Sequence, residues 1–574
     1  MEQFENFNRI MEAETISKNG TNLKSLISKK NFKLLVLVAC LFMTFSGQAQ
    51  KIRYVKLNGT GDGSSWGNAS TDIQAMINAS AVGDQVWIAS ETYLLTATLT
   101  MKEGVNVYGG FQGSESNINA RSKGDLDKNG TVEAWEFTNS TILDGQNARR
   151  VLNQANPFEM ETTWDGVTIT KGNSTTGAGA YLRANGKLNN CTVKQNGIVL
   201  TDIYQSGIDG GGIYNNGGTI SNCMIDGNTL SRNSPFSSRG GGICNFNGTI
   251  NNCTVSGNKV FTSNNLSWGG GIFNNGGTVS NCMVYGNITS ATASSIAYSS
   301  LSCGGGIYNY NGTVSNCTVN GNTAQASAQS ASYSAVSRGG GIYNEGIVNT
   351  CCIYNNNVYY NEMSSGEGIY NNGTASNKAY VYNSTMLNNG KNNISNYNNS
   401  YVFAYNCIIE NSDLEQNFIR PTSFVGQAGD DAQRAELLWV NWRLKQGSQY
   451  IEAGSLADLP NWVINGTDLA GNPRVSNGKI SLGAYEYDPT ASAIKLTHVD
   501  NGIKIYPNPV SDFFIVDYEG FIQVKIYDML GKEILSQDTN GKTEININHL
   551  PKGIYNVSII SESRIIGNSK IVKQ

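Results

Sequence analysis

The sequence predicts an all-β chain: a parallel β-helix, plugged at its start by a short helix and followed by a small β-sandwich. Three observations carry this. The first is a five-fold repeat. It reads GGGIYNNGGTISNCMIDGN from Gly210 and returns from Gly240, Gly269, Gly304 and Gly339, at intervals of 30, 29, 35 and 35 residues. A period of that size marks stacked supersecondary units. The second is the lack of helical spacing, since no repeat places apolar residues at i, i+3, i+4 and i+7. The third is what lines up when six copies are aligned on their Cys. Leu188, Ile220, Ile250, Val279, Val314 and Val348 lie three before it. Val193, Ile225, Val255, Val284, Val319 and Ile353 lie two after it, and Asn196, Asn228, Asn258, Asn287, Asn322 and Asn356 five after. Cys and the residue two later share one strand face, and the SN or NN before Cys fits a turn. If each repeat is one coil, like residues stack about 4.8 Å apart.

The units also resemble the right-handed parallel β-helix repeats of pectate-lyase-like and outer-membrane-protein-like bacterial families. Asp165–Asn173 reads as an earlier rung, and Val381–Asn389 and Tyr405–Ile409 as later ones. The expectation is eight to ten coils in a rod about 40–50 Å long.

Composition narrows the function classes. The net charge is −4 and only 15% of residues are charged, which supplies no basic patch for nucleic acid. Six of the 11 Cys occupy the one repeated inward position. They read as stacked small hydrophobes with free thiols, with disulfides between neighbouring rungs as the alternative. No CxxC supports zinc. The 2 His, His498 and His549, lie outside the repeats, so histidine chemistry on the rod is excluded.

Residues 1–49 read as a signal peptide. Lys29, Lys30 and Lys33 precede the apolar run Leu34–Phe45, and Gly47-Gln-Ala49 places small residues before a cleavage site. The run is too short to span a membrane. A lipoprotein box, Leu37-Val-Ala-Cys40, is the alternative, and the long polar leader leaves Met11 as another start. Each reading exports the protein.

Residues 50–160 form the N-terminal cap and first coils. Thr71 is the expected N-cap of a helix whose stripe is Ile73, Met76 and Ile77. Such a helix would cover the open end of the coil and its strand edge. Residues 83–89 and 105–111 are the first strands. Residues 125–136 then match D-x-D-x-N-G-x5-E without a gap. Asp125, Asp127, Asn129, the Thr131 carbonyl, Glu133 and Glu136 are candidate oxygen ligands for Ca²⁺, Gly130 allows the sharp turn and Val132 anchors inward. The expected role is structural, pinning an insertion before Thr141-Ile-Leu-Asp-Gly145. An acidic solvated loop is the alternative.

Residues 161–420 are the repeats. The segments after each Gly-Asn are Ser/Ala/Asn-rich loops emerging on one side. Their aromatics (Phe236, Phe261, Trp268, Tyr298, Tyr333, Tyr359) offer a sugar-stacking or adhesive face, or simply loop packing. Tyr214, Phe273, Tyr308 and Tyr343 form a further ladder, most simply structural. No catalytic residue is assignable. Asp209 and Arg239 sit one rung apart as a surface ion pair, and Glu362 and Glu367 are close in sequence, but no repeated acid pair appears.

Residues 421–488, with Leu438–Leu444, Asp468-Leu-Ala-Gly-Asn-Pro-Arg474 and Ile480–Glu486, resemble the choice-of-anchor Q module that closes bacterial surface β-helices. Residues 489–502 are a linker. Residues 503–574 alternate at Val524 and Ile526, turn at Leu530-Gly-Lys532 and read as a β-sandwich. With Ile503–Asp512, Val524–Ile534 and Leu550–Val557, they closely resemble the type IX (Por) secretion sorting domain of Bacteroidetes. That resemblance implies passage across the outer membrane by the type IX machinery, then removal of the domain with release or attachment to surface lipopolysaccharide. The chain as a whole reads as a secreted surface scaffold binding glycan or matrix. A polysaccharide lyase or hydrolase on the same fold, and a purely structural rod, are the alternatives.

Overall fold

The computed structural model describes residues 50–573, apart from 201–207, 234–235, 264–265, 294–299, 329–333, 360–363, 375–377, 390–392, 397–401, 411–417, 420–423, 426–436, 439–441, 458, 489–503, 508–509, 519, 528–532, 552 and 562–563. The signal peptide, the linker, Tyr298, Tyr333, Glu362 and the Leu530–Lys532 turn therefore lie outside the described residues.

One rung shows how these residues make a coil. Ile213–Asn216 runs straight, the chain bends at Gly217, and Thr219–Ser221 follows. Asn222, at φ 52°, turns the corner into Met224–Asp226, and Gly227, at φ 61°, turns the next. Left-handed φ is costly for L-residues other than Gly and Asn. The rungs comply with Asn190, Asn222, Asn252, Asn281 and Asn316 directly before the Cys. The Gly triplet answers a second demand, close approach of stacked backbone. A Cβ on Gly211 would stand 2.4 Å from the Gly241 carbonyl oxygen.

Rungs pair in parallel with like over like: Ile213 opposite Ile243, Asn215 opposite Asn245, Ile220 opposite Ile250. The result is a parallel β-helix with a 21-stranded and a 12-stranded sheet. The apolar residues three before and two after each Cys are buried and belong to one core. The six aligned Cys are buried free thiols, as expected. Cys253 Sγ contacts the Asn251 carbonyl at 3.3 Å and the Ile220 carbonyl of the rung before at 3.6 Å.

Buried Asn residues form two ladders. Asn228, Asn258, Asn287, Asn322 and Asn356 each use Nδ2 to bond the Oδ1 of the next ladder Asn, at 2.9–3.0 Å. Asn215, Asn245, Asn274 and Asn309 do the same along the adjoining strand. The second ladder starts abruptly because Leu182 is the partner of Asn215 on the preceding rung, and the Oδ1 of Asn215 has no donor.

The segments after each Gly-Asn are not loops over most of their length. Thr229–Asn233, Lys259–Ser263, Ile288–Ala293 and Thr323–Ala328 belong to a 6-stranded parallel sheet. Ser238–Arg239, Leu266–Trp268, Ser300–Cys303 and Ala335–Arg338 return in a 5-stranded one. The two form a fin beside each rung. Its interior holds the apolar cluster Ile198, Ile208, Leu230 and Val260 in the first rungs, while Ser238, Ser267, Ser302 and Ser337 stack in register and are fully buried.

The capping helix spans Ile73–Ala79 and buries Ile73, Met76 and Ile77. Its N-cap is Asp72, whose side chain accepts from Ala75 N at 2.9 Å. Thr71, the expected cap, instead donates Oγ1 to the Leu57 carbonyl. At the far end the cap module is pinned to the last rungs. Ala484 N donates to Thr385 Oγ1 at 2.9 Å, and Asn406 and Ser455 exchange hydrogen bonds at 2.9 Å. Buried Asp468 accepts from Ala470 N, Asn472 N and Glu486 N, while Arg474 bonds the Ser481 and Gly483 carbonyls and pairs with Glu486 at 3.2 Å.

The C-terminal unit has two antiparallel sheets, of 3 and 4 strands, around Phe514, Val524, Ile526, Ile545, Val557 and Ile559. This is the expected β-sandwich. Among the described residues no helix is long and apolar enough to cross a membrane.

Candidate functional site

Residues 125–136 lie in the insertion between the strands Asn106–Phe111 and Thr141–Asp144. Positive φ at Lys128 (58°) and Gly130 (87°) folds the loop back on itself. Asp125 then accepts from Asn129 N at 3.0 Å and Gly130 N at 2.8 Å. Ligand oxygens of Asp125, Asp127 and Glu136 come within 4.8 Å of one another. Among the described residues this is the one such grouping of three. Asn129 bridges Asp127 and Glu133 through Nδ2, at 3.1 and 2.9 Å. Glu136 is buried and takes Leu126 N, Asp127 N and Glu133 N. Thr131 is exposed, and its N–H donates to Asn129 Oδ1. Burial, then the adjoining Glu136 and Asp127 carboxylates, outweighs the Asn129 bond and raises Glu133 to about 7. Such like-charge crowding is what a divalent cation relieves, and the donors are the hard oxygens that Ca²⁺ takes.

One expectation fails here. Val132 does not anchor inward; it is 53% exposed. The anchor is Phe137, buried under Arg121, whose guanidinium lies 4.6 Å from the ring. Arg121 also pairs with Asp165 at 2.6 Å, and Asp165 takes the Nδ2 groups of Asn189 and Asn190. The insertion is thereby clamped to the rod by a buried ion pair. The D-x-D pattern carried no signal for this; the Arg121 and Phe137 flanks did.

The second feature is an aromatic strip on the outer face of the Ile213–Asn216 strand and its stacked neighbours. Tyr181 and Tyr214 stack at 4.9 Å and 20°. The register then places Cys244 where an aromatic belongs. Phe246, two residues on, fills the gap at 5.6 Å from Tyr214 and 5.8 Å from Phe273. Tyr308, Tyr343 and Tyr370 continue the stack. The strip changes character along its length. Phe273, Tyr343 and Tyr370 are buried, whereas Tyr181, Tyr214 and Phe246 are half-exposed. Guanidinium groups flank the exposed part: Arg150 and Arg183 at 5.1 and 5.2 Å from Tyr181, and Arg239 at 5.4 Å from both Phe246 and Phe273. Burial raises the Tyr214 phenol to about 12, so the ring stays neutral.

Asp209 and Arg239 meet as expected, but not on the surface. Asp209 is 5% exposed and receives Nε and Nη2 of Arg239 at 2.8 Å each. Burial still lifts its carboxyl above the usual range. Of the loop aromatics, Phe236 and Tyr359 are exposed, while Trp268 packs on Phe273 and Tyr308. Glu367 is buried.

Residues 504–574 match the family described as the secretion system C-terminal sorting domain. A search of curated proteins finds no match. Among solved structures, the crystal structure of pectate lyase Pel9A is similar with a TM-score of 0.37 and 12% identity, over 76% of this chain and 97% of that one. The stacked parallel rungs and the matched C-terminal sandwich together make this chain a parallel β-helix protein that ends in a type IX secretion sorting domain.

Proposed function

We propose that the rod, delivered out of the cell by its sorting domain, binds anionic polysaccharide without turning it over. The observation that supports this is the half-exposed strip Tyr181, Tyr214 and Phe246 with Arg150, Arg183 and Arg239 beside it. Aromatic faces take the apolar face of a sugar, and the Arg183 guanidinium takes carboxylate or sulfate bidentately. Arg150 is held by the Gly177 and Thr176 carbonyls and Arg239 by Asp209, so these two lend positive charge rather than free forks. Strand stacking places Tyr181, Tyr214 and Phe246 on successive rungs, so successive sugars of one chain meet successive rungs. The loop at Asp125, Asp127, Asn129, Thr131, Glu133 and Glu136 holds a structural Ca²⁺ that pins the insertion. Once delivered, the protein is attached to the outer surface or released.

A lyase or hydrolase is the alternative. It needs a base free of an acid partner; Arg239 is committed to Asp209, so Arg183 is the residue of the strip that such a reaction would have to use. The test is binding of the mature chain to acidic and neutral polysaccharides, with product analysis. Saturable binding to acidic chains, weakened about tenfold or more by Tyr181→Ala with Arg183→Ala, supports the reading. New unsaturated or reducing ends would replace it with the enzymatic one.

A further inference from the structure

We propose that Arg232 holds a small monovalent anion, a halide in the simplest case, inside the fin. Arg232 is 2% exposed, and among the described residues nothing accepts a hydrogen bond from its Nε, Nη1 or Nη2. Phe236 lies over the guanidinium with its centroid 4.9 Å away. The nearby carboxylate, Asp209, has both oxygens engaged by Arg239 at 2.8 Å. Among the described residues, Arg232, Arg239 and Asp209 therefore leave one positive charge unmatched. A guanidinium does not shed its proton in a protein, and an uncompensated buried charge is strongly unfavourable.

The neighbouring rung shows what is missing. Arg232 is in register with Thr262, and Ser238 with Ser267. Thr262 and Ser267 close their cell with a 2.7 Å hydrogen bond between the two hydroxyls. In the Arg232 rung the equivalent hydroxyl, Ser238 Oγ, is fully buried and unbonded. Among the described residues this cell offers guanidinium donors and one hydroxyl, and its nearby carboxylate, Asp209, is already taken by Arg239. Water would have to place its own two hydrogens there. An acceptor-only anion takes every donor and balances the charge.

The test uses the full mature chain. Crystals soaked in sodium bromide should show an anomalous peak within hydrogen-bond distance of Arg232. Sodium chloride should raise the Tm by about 1–3 °C over sodium gluconate at equal ionic strength. Arg232→Met should abolish that difference. A wild-type Tm equal in the two salts, or Arg232→Met keeping the chloride response, overturns the proposal. If Arg232→Met does not fold, the bromide map of the wild type decides: no peak at Arg232 overturns it, and a peak there upholds it.

Discussion

Replacing Asn258 by Leu tests whether the buried amide ladder holds the rungs together. Asn258 is fully buried. Its Oδ1 accepts Asn228 N at 3.0 Å and Asn228 Nδ2 at 2.9 Å. Its Nδ2 donates to the Ile225 carbonyl and to Asn287 Oδ1, both at 2.9 Å. Leucine removes all four. Each net bond is worth about 1 kcal/mol, and the Asn228 N–H, left buried with no acceptor, costs roughly 1–3 kcal/mol more. The added apolar burial of Leu returns about 1–2 kcal/mol. The balance is a loss of about 3–6 kcal/mol, large against a typical stability of about 5–15 kcal/mol. In a solenoid each rung leans on its neighbours, so the damage should appear first as local opening. The assay is urea unfolding of the mature chain together with hydrogen exchange at Asn228 and Asn287. A midpoint shift equivalent to less than about 1 kcal/mol, with amide protection intact on both rungs, would refute the reasoning.

Four further outcomes are expected. Chelator should lower the Tm of the wild type, and Asp125→Asn with Glu136→Gln should abolish that response. Without calcium, Glu133 titrates near 7 against an ordinary 4.5, so its contribution is complete below about pH 4.5 and is lost as pH rises through 7. Added calcium, which binds the carboxylate form, should reverse that trend in melts at pH 5 and pH 8. Thr350→Asn should stabilise by about 1 kcal/mol in urea, because the β-branched Thr350 sits at φ 53° where the other repeats use Asn. A thiol reagent should find no reactive Cys in the native mature protein and ten after denaturation, the 11 of the full sequence less Cys40; eleven would mean that the leader is retained.

The coil was legible because its signals are strong and local. Asn and Gly mark corners that other residues adopt only at a cost, and Ile, Val and Cys mark the inward face with high contrast against Ser and Thr. The fin was not legible for the opposite reason. Its strands also alternate, as Thr289, Ala291 and Ala293 do against Ile288, Ser290 and Thr292. Yet beyond Leu230 and Val260, in the later rungs, their buried face is Ala, Ser and Thr, the same residue types that fill solvated loops. Two thin sheets packed closely need small side chains inside, so the physics that makes the fin erases the contrast that would reveal it. The clustering of Asp125, Asp127 and Glu136 was legible in the D-x-D pattern, but the anchor of their loop was not. Arg121 and Phe137 lie outside the D-x-D pattern and act through a fold that brings Asp165 beside them.

Where the rungs are alike, their residues answer to stacking; departures from that pattern need another reason. They gather around two consecutive rungs. Cys244 interrupts the aromatic ladder at a site where Tyr214 and Phe273 stand above and below. Phe246 then restores the stack from a position nearer solvent. Asp209 and Arg239 put a buried ion pair where the next two rungs have Trp268 and Cys303, before Arg338 returns a charge in register with Cys303. Arg232 puts a charge where the later rungs have Thr262, Ala291 and Ala326. A Thr–Ser bond or a run of Ala would satisfy the fin at no electrostatic cost, as the later rungs demonstrate. A buried Arg is costly and therefore needs a counter-charge or a role. The same rungs carry the half-exposed end of the aromatic strip. The chemistry available to a ligand is thus concentrated at the 150–246 segment rather than spread evenly along the rod, and that segment is where a search for bound polysaccharide should be aimed.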